Sequence, residues 1–280
     1  MKVAVIGAGT MGSGIAQSCA AAGHEVYLHD LSESARERGM AAIESSLSRL
    51  AKKSKISEED KSQALARITL TGDMARIGVA EVMIEAVFED MAVKREVWAN
   101  LDRASGENAL LATNTSSLSV TEIASVLQEP GRLCGLHFFN PVPVLPLVEV
   151  VRAIQTEDAT IDRARGFVEG LGKTPIVCRD TPGFIVNRIL IPYIGDAIHA
   201  LSEGVASASD IDQAMKLGAN MPIGPLALAD LVGLDVALAA AESLYDAFGD
   251  PKFRIPPLLR QMVRAGKLGR KTGEGFYSYE

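Results

Sequence analysis

Apolar β-type runs and stretches of helical period alternate along the first 180 residues. Lys2 to Ile6 is an apolar strand, and an Ala-rich helical stretch from Ser13 to Ala22 ends at Gly23. A second strand, Glu25 to His29, ends on Asp30. Residues 32–53 have the pattern of a long amphipathic helix, followed by a polar connection over 54–63. Arg67 to Leu70 is a short strand, and Val79 to Ala86 leads into another. Residues 89–104 have helical period, with Val93, Val97 and Leu101 on one face. Leu110 to Thr113 is an apolar strand running into Asn114-Thr115-Ser116-Ser117, and Val120 to Leu127 is helical. Strands at 133–139 and 147–151, a helix at 159–171 and a strand at 174–177 complete the series. Repeated βαβ units predict an α/β fold: a doubly wound, mostly parallel sheet with helices on both faces.

The pattern changes at Asp180-Thr181-Pro182-Gly183, after which no strand series is evident. Residues 184–203 are predicted helical, with a kink at Pro192, and further helices are expected at 209–217, 226–231, 236–248 and 257–265. The boundary therefore falls between a sheet domain, 1–180, and an all-α C-terminal domain, 181–280. Ala227-Leu228-Ala229, Leu231-Val232 and Val236-Ala237-Leu238 make the latter dense in apolar residues. A small helical domain of that kind completes its core against a second copy, so a homodimer is expected.

Between the first strand and the first helix lies Gly7-Ala8-Gly9-Thr10-Met11-Gly12, with Asp30 eighteen residues after the last glycine. GxGxxG alone is a weak signal. Placed between strand and helix, with that acid, it reads as the dinucleotide-binding fingerprint of a Rossmann-type fold. Gly7 permits a tight turn, Gly9 lets backbone approach a pyrophosphate, and Gly12 lets helix and strand pack closely. Uncapped N–H groups and a positive dipole end face the phosphates. A carboxylate at Asp30 accepts from ribose hydroxyls and repels a 2′-phosphate. Leu31 and Ser32 supply no cation for such a phosphate, and Arg36 lies more than a helical turn on, so NAD is the expected cofactor.

Composition narrows the class without changing it. The chain has 280 residues, 48% hydrophobic and 22% charged, and a net charge of −7, which argues against nucleic acid as a partner. Cys19, Cys134 and Cys178 are far apart with no metal or redox spacing; Cys19 and Cys178 lie in apolar surroundings and are expected as buried thiols in a reducing compartment. No apolar run approaches the roughly eighteen residues of a membrane span, and the chain starts on a core strand, leaving no room for a signal peptide. A cytoplasmic location and no membrane partner are the expectation.

The segment His137-Phe-Phe-Asn-Pro-Val-Pro-Val-Leu-Pro-Leu-Val-Glu149 carries the candidate chemistry. A histidine at the end of an apolar strand sits where such a sheet opens its ligand crevice. A following strand delivers Glu149, and a carboxylate beside an imidazole fixes its tautomer and stabilises the imidazolium. Alcohol oxidation by NAD needs a base for the hydroxyl proton. From spacing alone this reading and its alternative, a hydrogen-bonded core histidine with a surface glutamate, stand equal.

The whole chain resembles the NAD-dependent L-3-hydroxyacyl-CoA dehydrogenases, including the short-chain 3-hydroxybutyryl-CoA enzymes. The resemblance rests on GAGTMGSGIAQ (7–17), IEAVFED (84–90), NTSS (114–117), GLHFFNPVP (135–143), DTPGFIVNR (180–188) and GRKTGEGFY (269–277). It implies a Rossmann domain followed by a helical, dimerising domain. It implies His137 as general base, Glu149 as its orienting partner, Ser116 as the hydroxyl on the substrate oxygen, and Asn187 as an active-site asparagine. For Ser116 the alternative is a helix cap or turn, although capping falls more naturally to Ser119. Asn187 by itself is a polar residue in an apolar helix, where a buried amide needs partners.

The resemblance further implies cofactor contacts at Gly7 to Gly12, Asp30, Glu89, Lys94, Asn140 and Lys271. Taken alone, Glu89 and Lys94 read as an exposed pair at a helix start. Asn140 and Ser116 are also implied on the substrate side. Arg49, Lys52, Lys53 and Lys55 form a basic cluster that alone reads as a solvated face. Because coenzyme A carries phosphates that need cations, and Ser46 and Lys53 match CoA-contacting positions, the resemblance turns this cluster into an acyl-CoA clamp. Leu145-Pro146 departs from the family's usual residues before Leu-Val-Glu, a difference that bears on loop shape and acyl-chain preference.

Oxidation of a (3S)-3-hydroxyacyl-CoA is thus the leading expectation. Two readings stand beside it: a related sugar-acid dehydrogenase of the gulonate type, which needs no CoA clamp, and a non-catalytic NAD-binding protein, which needs none of Ser116, His137, Glu149 or Asn187.

Overall fold

The computed structural model describes residues 1–279. They form two compact units, Met1–Thr181 and a second that begins at Pro182. In the first, eight strands make one sheet: β1 (Lys2–Ile6), β2 (Glu25–His29), β3 (Ile68–Thr71), β4 (Val82–Glu85), β5 (Leu110–Thr113), β6 (Leu133–Phe138), β7 (Leu147–Arg152) and β8 (Thr174–Arg179). Their order is β3-β2-β1-β4-β5-β6-β7-β8. Every neighbouring pair is parallel except β6 and β7. The central strands are apolar on both faces and buried, as a sheet covered by helices requires. The covering helices are α1 (Thr10–Ala21), α2 (Glu33–Lys52), α3 (Glu58–Ala66), α4 (Met74–Ile77), α5 (Met91–Ala104), α6 (Val120–Ala124) and α7 (Asp158–Gly170).

Three of these differ from the pattern read in the sequence: α4, started by the Asp73 cap on Ala75 N–H, has no counterpart there, and α3 and α6 depart from it as follows. The polar stretch 54–63, expected as a connection, contains the start of α3. Ser57 accepts from the Asp60 backbone N–H, and the Asp60 carboxylate accepts from the Ser57 N–H. This capping box is worth about 1 kcal/mol and starts a helix whose one fully buried residue is Ala64. Conversely, the helix expected over 120–127 ends at Ala124, and Ser119 caps it by accepting from Glu122 N–H.

Register places the site. Ile6 is paired with His29 on one side and Glu85 on the other, Glu85 with Thr113, and Thr113 with Gly135. The carboxyl ends of β2, β1, β4 and β5 therefore lie in one row, and the loops that follow them open along one edge of the sheet. The order reverses between β1 and β4, the place where sheets of this kind bind ligands.

The second unit is helical: α8 (Val186–Ser202), α9 (Ala208–Gly218), α10 (Pro225–Val232), α11 (Leu234–Phe248) and α12 (Pro257–Arg264). The helix α8 runs past Pro192 without interruption. Ile194, Ile198, Leu226, Ala229, Leu234 and Leu259 form the core. The buried Asp230 clamps the C-terminal segment by accepting from Phe276 N–H, Tyr277 N–H and the Tyr279 hydroxyl. Among the described residues no helix is long and apolar enough to cross a membrane.

Cys19 and Cys134 are buried and Cys178, expected buried, is half-exposed on the edge strand β8. None is bonded to another, and burial pushes all three thiols up to about 12, so no thiolate is on offer near neutral pH.

Candidate active site

The loop after β1 is built by two glycines that cannot carry a side chain. Gly7 has φ +107°, and a Cβ there would overlap the Ala86 carbonyl; one on Gly12 would overlap the Gly7 carbonyl. Gly9 is different: no protein atom lies within 4 Å of its Cβ position. It is also the N-cap of α1, and no side chain caps that helix. Open space beside unpaired helix N–H groups is a fit for a dinucleotide pyrophosphate. Ala8 is buried beneath this space, Met11 half-buried, and Thr10 exposed.

Asp30, at the end of β2, closes the loop. Its Oδ2 accepts from Ala8 N–H at 3.0 Å and its Oδ1 from Ser32 N–H at 2.9 Å. Arg36, set aside on its distance in sequence, is in fact at this corner: α2 carries its Nη1 to within 2.5 Å of the Asp30 carbonyl. Helical periodicity brings residue 36 back over the end of β2, where its guanidinium is engaged by the carbonyls of Asp30 and Leu31.

His137 and Glu149 face each other across the antiparallel β6–β7 pair, in direct register. His137 Nδ1 lies 2.7 Å from Glu149 Oε2, and both side chains are buried. A carboxylate only accepts, so Nδ1 carries the hydrogen, which makes Nε2 the lone-pair atom of the neutral ring. The Phe139 ring packs 4.4 Å from the imidazole, centroid to centroid.

The Asn114–Ser117 loop follows β5 and is tied to the strand of the histidine, because Asn114 Oδ1 accepts from Phe138 N–H at 2.9 Å. The same loop wraps one carboxylate oxygen. Glu89 Oε1 accepts from the Thr115 hydroxyl at 2.6 Å and from the N–H groups of Ser116 and Ser117 at 2.8 and 3.1 Å. The Ser116 hydroxyl lies 3.3 Å from it. Burial would raise the Glu89 carboxyl, but Lys94 and these donors outweigh it and hold it below the usual carboxylate range.

Lys94 is not the exposed partner that its helix position suggests. Its side chain is completely buried, with Nζ 2.6 Å from Glu85 Oε1 and 3.3 Å from Glu89 Oε2. It offers no surface of its own to a ligand. Removing one partner of such a sealed pair costs about 3–5 kcal/mol. Glu85, Thr113, Asn114 and Trp98 were not singled out in the sequence. The signal was there in Val82-Met-Ile-Glu85, since a carboxylate inside an apolar strand must find donors.

The other expected residues stand as follows. Asn140 is exposed, ahead of a cis bond to Pro141. The Lys173 ammonium pins the loop beyond it by donating to the carbonyls of Val142 and Leu145 at 2.6 and 2.9 Å. On α2, Ser46 is half-buried, while Arg49, Lys52, Lys53 and Lys55 are exposed around its C-terminal end. In the second unit, Asn187 is half-buried in the first turn of α8, and Lys271 Nζ pairs with Asp235 Oδ2 at 2.6 Å. Among the described residues no cluster of His, Cys, Asp or Glu could hold a metal ion.

Comparison with known proteins identifies the family. Residues 2–181 match the family model described as 3-hydroxyacyl-CoA dehydrogenase, NAD binding domain, and residues 183–279 match that of the C-terminal domain. The chain is 47% identical over 279 residues to a 3-hydroxybutyryl-CoA dehydrogenase of Clostridioides difficile, covering 100% of this chain and 99% of the relative. It is 43% identical over 285 residues to the mitochondrial hydroxyacyl-coenzyme A dehydrogenase of Homo sapiens, covering 99% and 91%. Among solved structures, it superposes on the (S)-3-hydroxybutyryl-CoA dehydrogenase PaaH1 of Ralstonia eutropha with a TM-score of 0.95, at 49% identity and covering 100% and 99% of the two chains. With both of its units matched and full-length relatives at this identity, the chain belongs to the 3-hydroxyacyl-CoA dehydrogenase family, NAD-dependent oxidoreductases.

Proposed function

We propose that this protein interconverts (3S)-3-hydroxybutyryl-CoA and acetoacetyl-CoA, with His137 as the base and Glu149 as its orienting partner. The observation that carries this reading is the buried His137–Glu149 pair at 2.7 Å, on the strand whose neighbouring loop carries Ser116. Bound NAD supplies the acceptor for the hydrogen and electron pair that leave the substrate's C3. The chain's own residues do the rest. His137 Nε2 takes the 3-hydroxyl proton, and Glu149 steadies the positive charge that the ring acquires. Ser116 holds the substrate oxygen in line with the imidazole, aided by Asn187 and Asn140. The loop from Gly7 to Gly12 receives the pyrophosphate and Asp30 the ribose, while Glu89, with Lys94 behind it, Asn140 and Lys271 complete the cofactor contacts.

Ser46 and Lys53 bind the CoA moiety. The exposed cations around the end of α2 support this, since they cluster in an acidic protein with no carboxylate paired to them among the ion pairs of the described residues. It also separates the acyl-CoA reading from a sugar-acid one. NADH oxidation with acetoacetyl-CoA is expected to be fast and to fail with NADPH. Lys53→Glu should raise the KM for acetoacetyl-CoA by about tenfold, the worth of one charge-assisted phosphate contact, with kcat little changed. An unchanged KM rejects the clamp, and equal rates with NADPH reject the role of Asp30.

The enzyme works as a homodimer through its helical unit, in the reducing cytoplasm that three unbonded thiols suit. Ile189 and Val236, 67% and 51% exposed, support the dimer. So does an open cavity of about 860 Å³ in the same unit, lined by Ile189, Pro192 and Phe253. Ile189→Glu should convert a dimer to a monomer in light scattering; a wild-type monomer at micromolar concentration rejects this interface.

A further inference from the structure

The buried Glu85 lies in strand β4, outside every contact assigned above to substrate or cofactor, yet it fills all of its hydrogen-bonding capacity. Oε1 accepts from Val87 N–H at 2.8 Å and from the Lys94 ammonium at 2.6 Å. Oε2 accepts from the Thr113 hydroxyl at 2.7 Å and from the Trp98 indole at 3.3 Å. These donors come from β5, α5 and the loop after β4. A carboxylate has about four lone-pair sites, so the anion is satisfied on every side. The Glu85 carbonyl adds one more tie by accepting from Asn114 N–H at 2.7 Å.

What leaves this cluster is one ammonium. Lys94 has no contact with water, so the two carboxylates, Glu85 and Glu89, share a single sealed cation. The Glu89 oxygen on the far side gathers the Thr115, Ser116 and Ser117 donors. The chain of contacts therefore runs from Trp98 and Thr113, through Glu85, Lys94 and Glu89, to the serine loop. Each link is charge-assisted and the inner ones are dry, which makes them stiff and directional.

We propose that Glu85 is a positioning residue for the reaction: by fixing the Lys94 ammonium it sets the Glu89 carboxylate, and through that carboxylate the place of the Ser116 hydroxyl. This rests on the reading of Ser116 as the group that holds the substrate oxygen. A cluster serving stability alone would have no need to end on that loop. Glu85→Gln keeps the shape but must turn an amide NH₂ toward one of the two donor pairs that now point at a carboxylate, and in either orientation the Lys94 ammonium loses the Glu85 charge it pairs with.

The test is a double-mutant cycle on kcat, with acetoacetyl-CoA and NADH saturating and each variant assayed well below its own Tm. Glu85→Gln should lower kcat about tenfold in the wild-type background and less than about twofold when Ser116 is already Ala, the non-additivity of groups acting as one unit. Equal factors in the two backgrounds, or a lowered Tm with kcat unchanged, overturn the relay while leaving the role of Ser116 intact. A Ser116→Ala variant with wild-type kcat overturns the role of Ser116 and the relay with it. If Glu85→Gln does not fold, Thr113→Val removes one donor to the same carboxylate at nearly constant volume. The same cycle then applies, with about a threefold loss expected in wild type and none in Ser116→Ala.

Discussion

Replacing His137 with Gln should abolish most turnover, by about 10²–10⁴-fold in kcat, while NADH binds as before. In the proposed reaction the imidazole takes a proton from the substrate hydroxyl, and an amide of similar reach has no basic lone pair to do so. Nothing in the nucleotide loop depends on it. That loop is held by Gly7, Gly12 and the Asp30 carboxylate on Ala8 N–H, whereas His137 is held by Glu149 at 2.7 Å. Fluorescence titration with NADH, beside kcat for acetoacetyl-CoA, separates the two roles. Loss of NADH affinity in step with kcat would reject His137 as the base.

Glu149→Gln should cost on the order of 10²–10⁴-fold in kcat with the fold intact. The amide fails the histidine in either orientation. With its NH₂ toward Nδ1 it drives the hydrogen to Nε2 and removes the basic lone pair. With its oxygen toward Nδ1 it preserves the tautomer but brings no charge to stabilise the imidazolium. Glu149→Ala adds a second penalty, because it strips a buried ring nitrogen of its partner at about 1–3 kcal/mol. The pair of variants is read together. Glu149→Gln should melt close to wild type with kcat collapsed, and Glu149→Ala should lose both. A Gln variant within about threefold of wild-type kcat would reduce Glu149 to a packing residue.

Most of the first unit was legible because its strands are apolar runs bounded by glycines and acids. The strand Leu110–Thr113 is the clearest case. The glycine loop was legible for a different reason, since backbone that must pass a carbonyl at φ +107° admits no other residue. Helix α3 was missed because its stability comes from a capping box and not from an apolar face; only Ala64 is fully buried. Arg36 was misplaced because distance along the chain was taken for distance in space. The Glu85 cluster stayed hidden for a deeper cause. Its donors, Val87, Lys94, Trp98 and Thr113, come from three separate segments, and nothing local marks them as neighbours. His137 and Glu149 could be suspected from their types, but only the strand pairing makes them partners.

That pairing has a consequence for how such an enzyme can change. Glu149 meets His137 through the β6–β7 ladder, and a slip of one residue would turn the carboxylate to the other face of the sheet. The side chains between the strands take no part in that ladder, which pairs 135–138 with 148–151. The segment they belong to is pinned separately, by one ammonium on two of its carbonyls. The exposed side chains of Val144, Leu145 and Pro146 can therefore be exchanged while the proposed proton-transfer pair is inherited untouched. Selectivity for the acyl group and competence in the reaction can evolve on independent clocks, and a library confined to the exposed residues 144–146, which spares Phe139, Asn140 and the buried Val142, should yield altered chain-length preference far more often than dead protein.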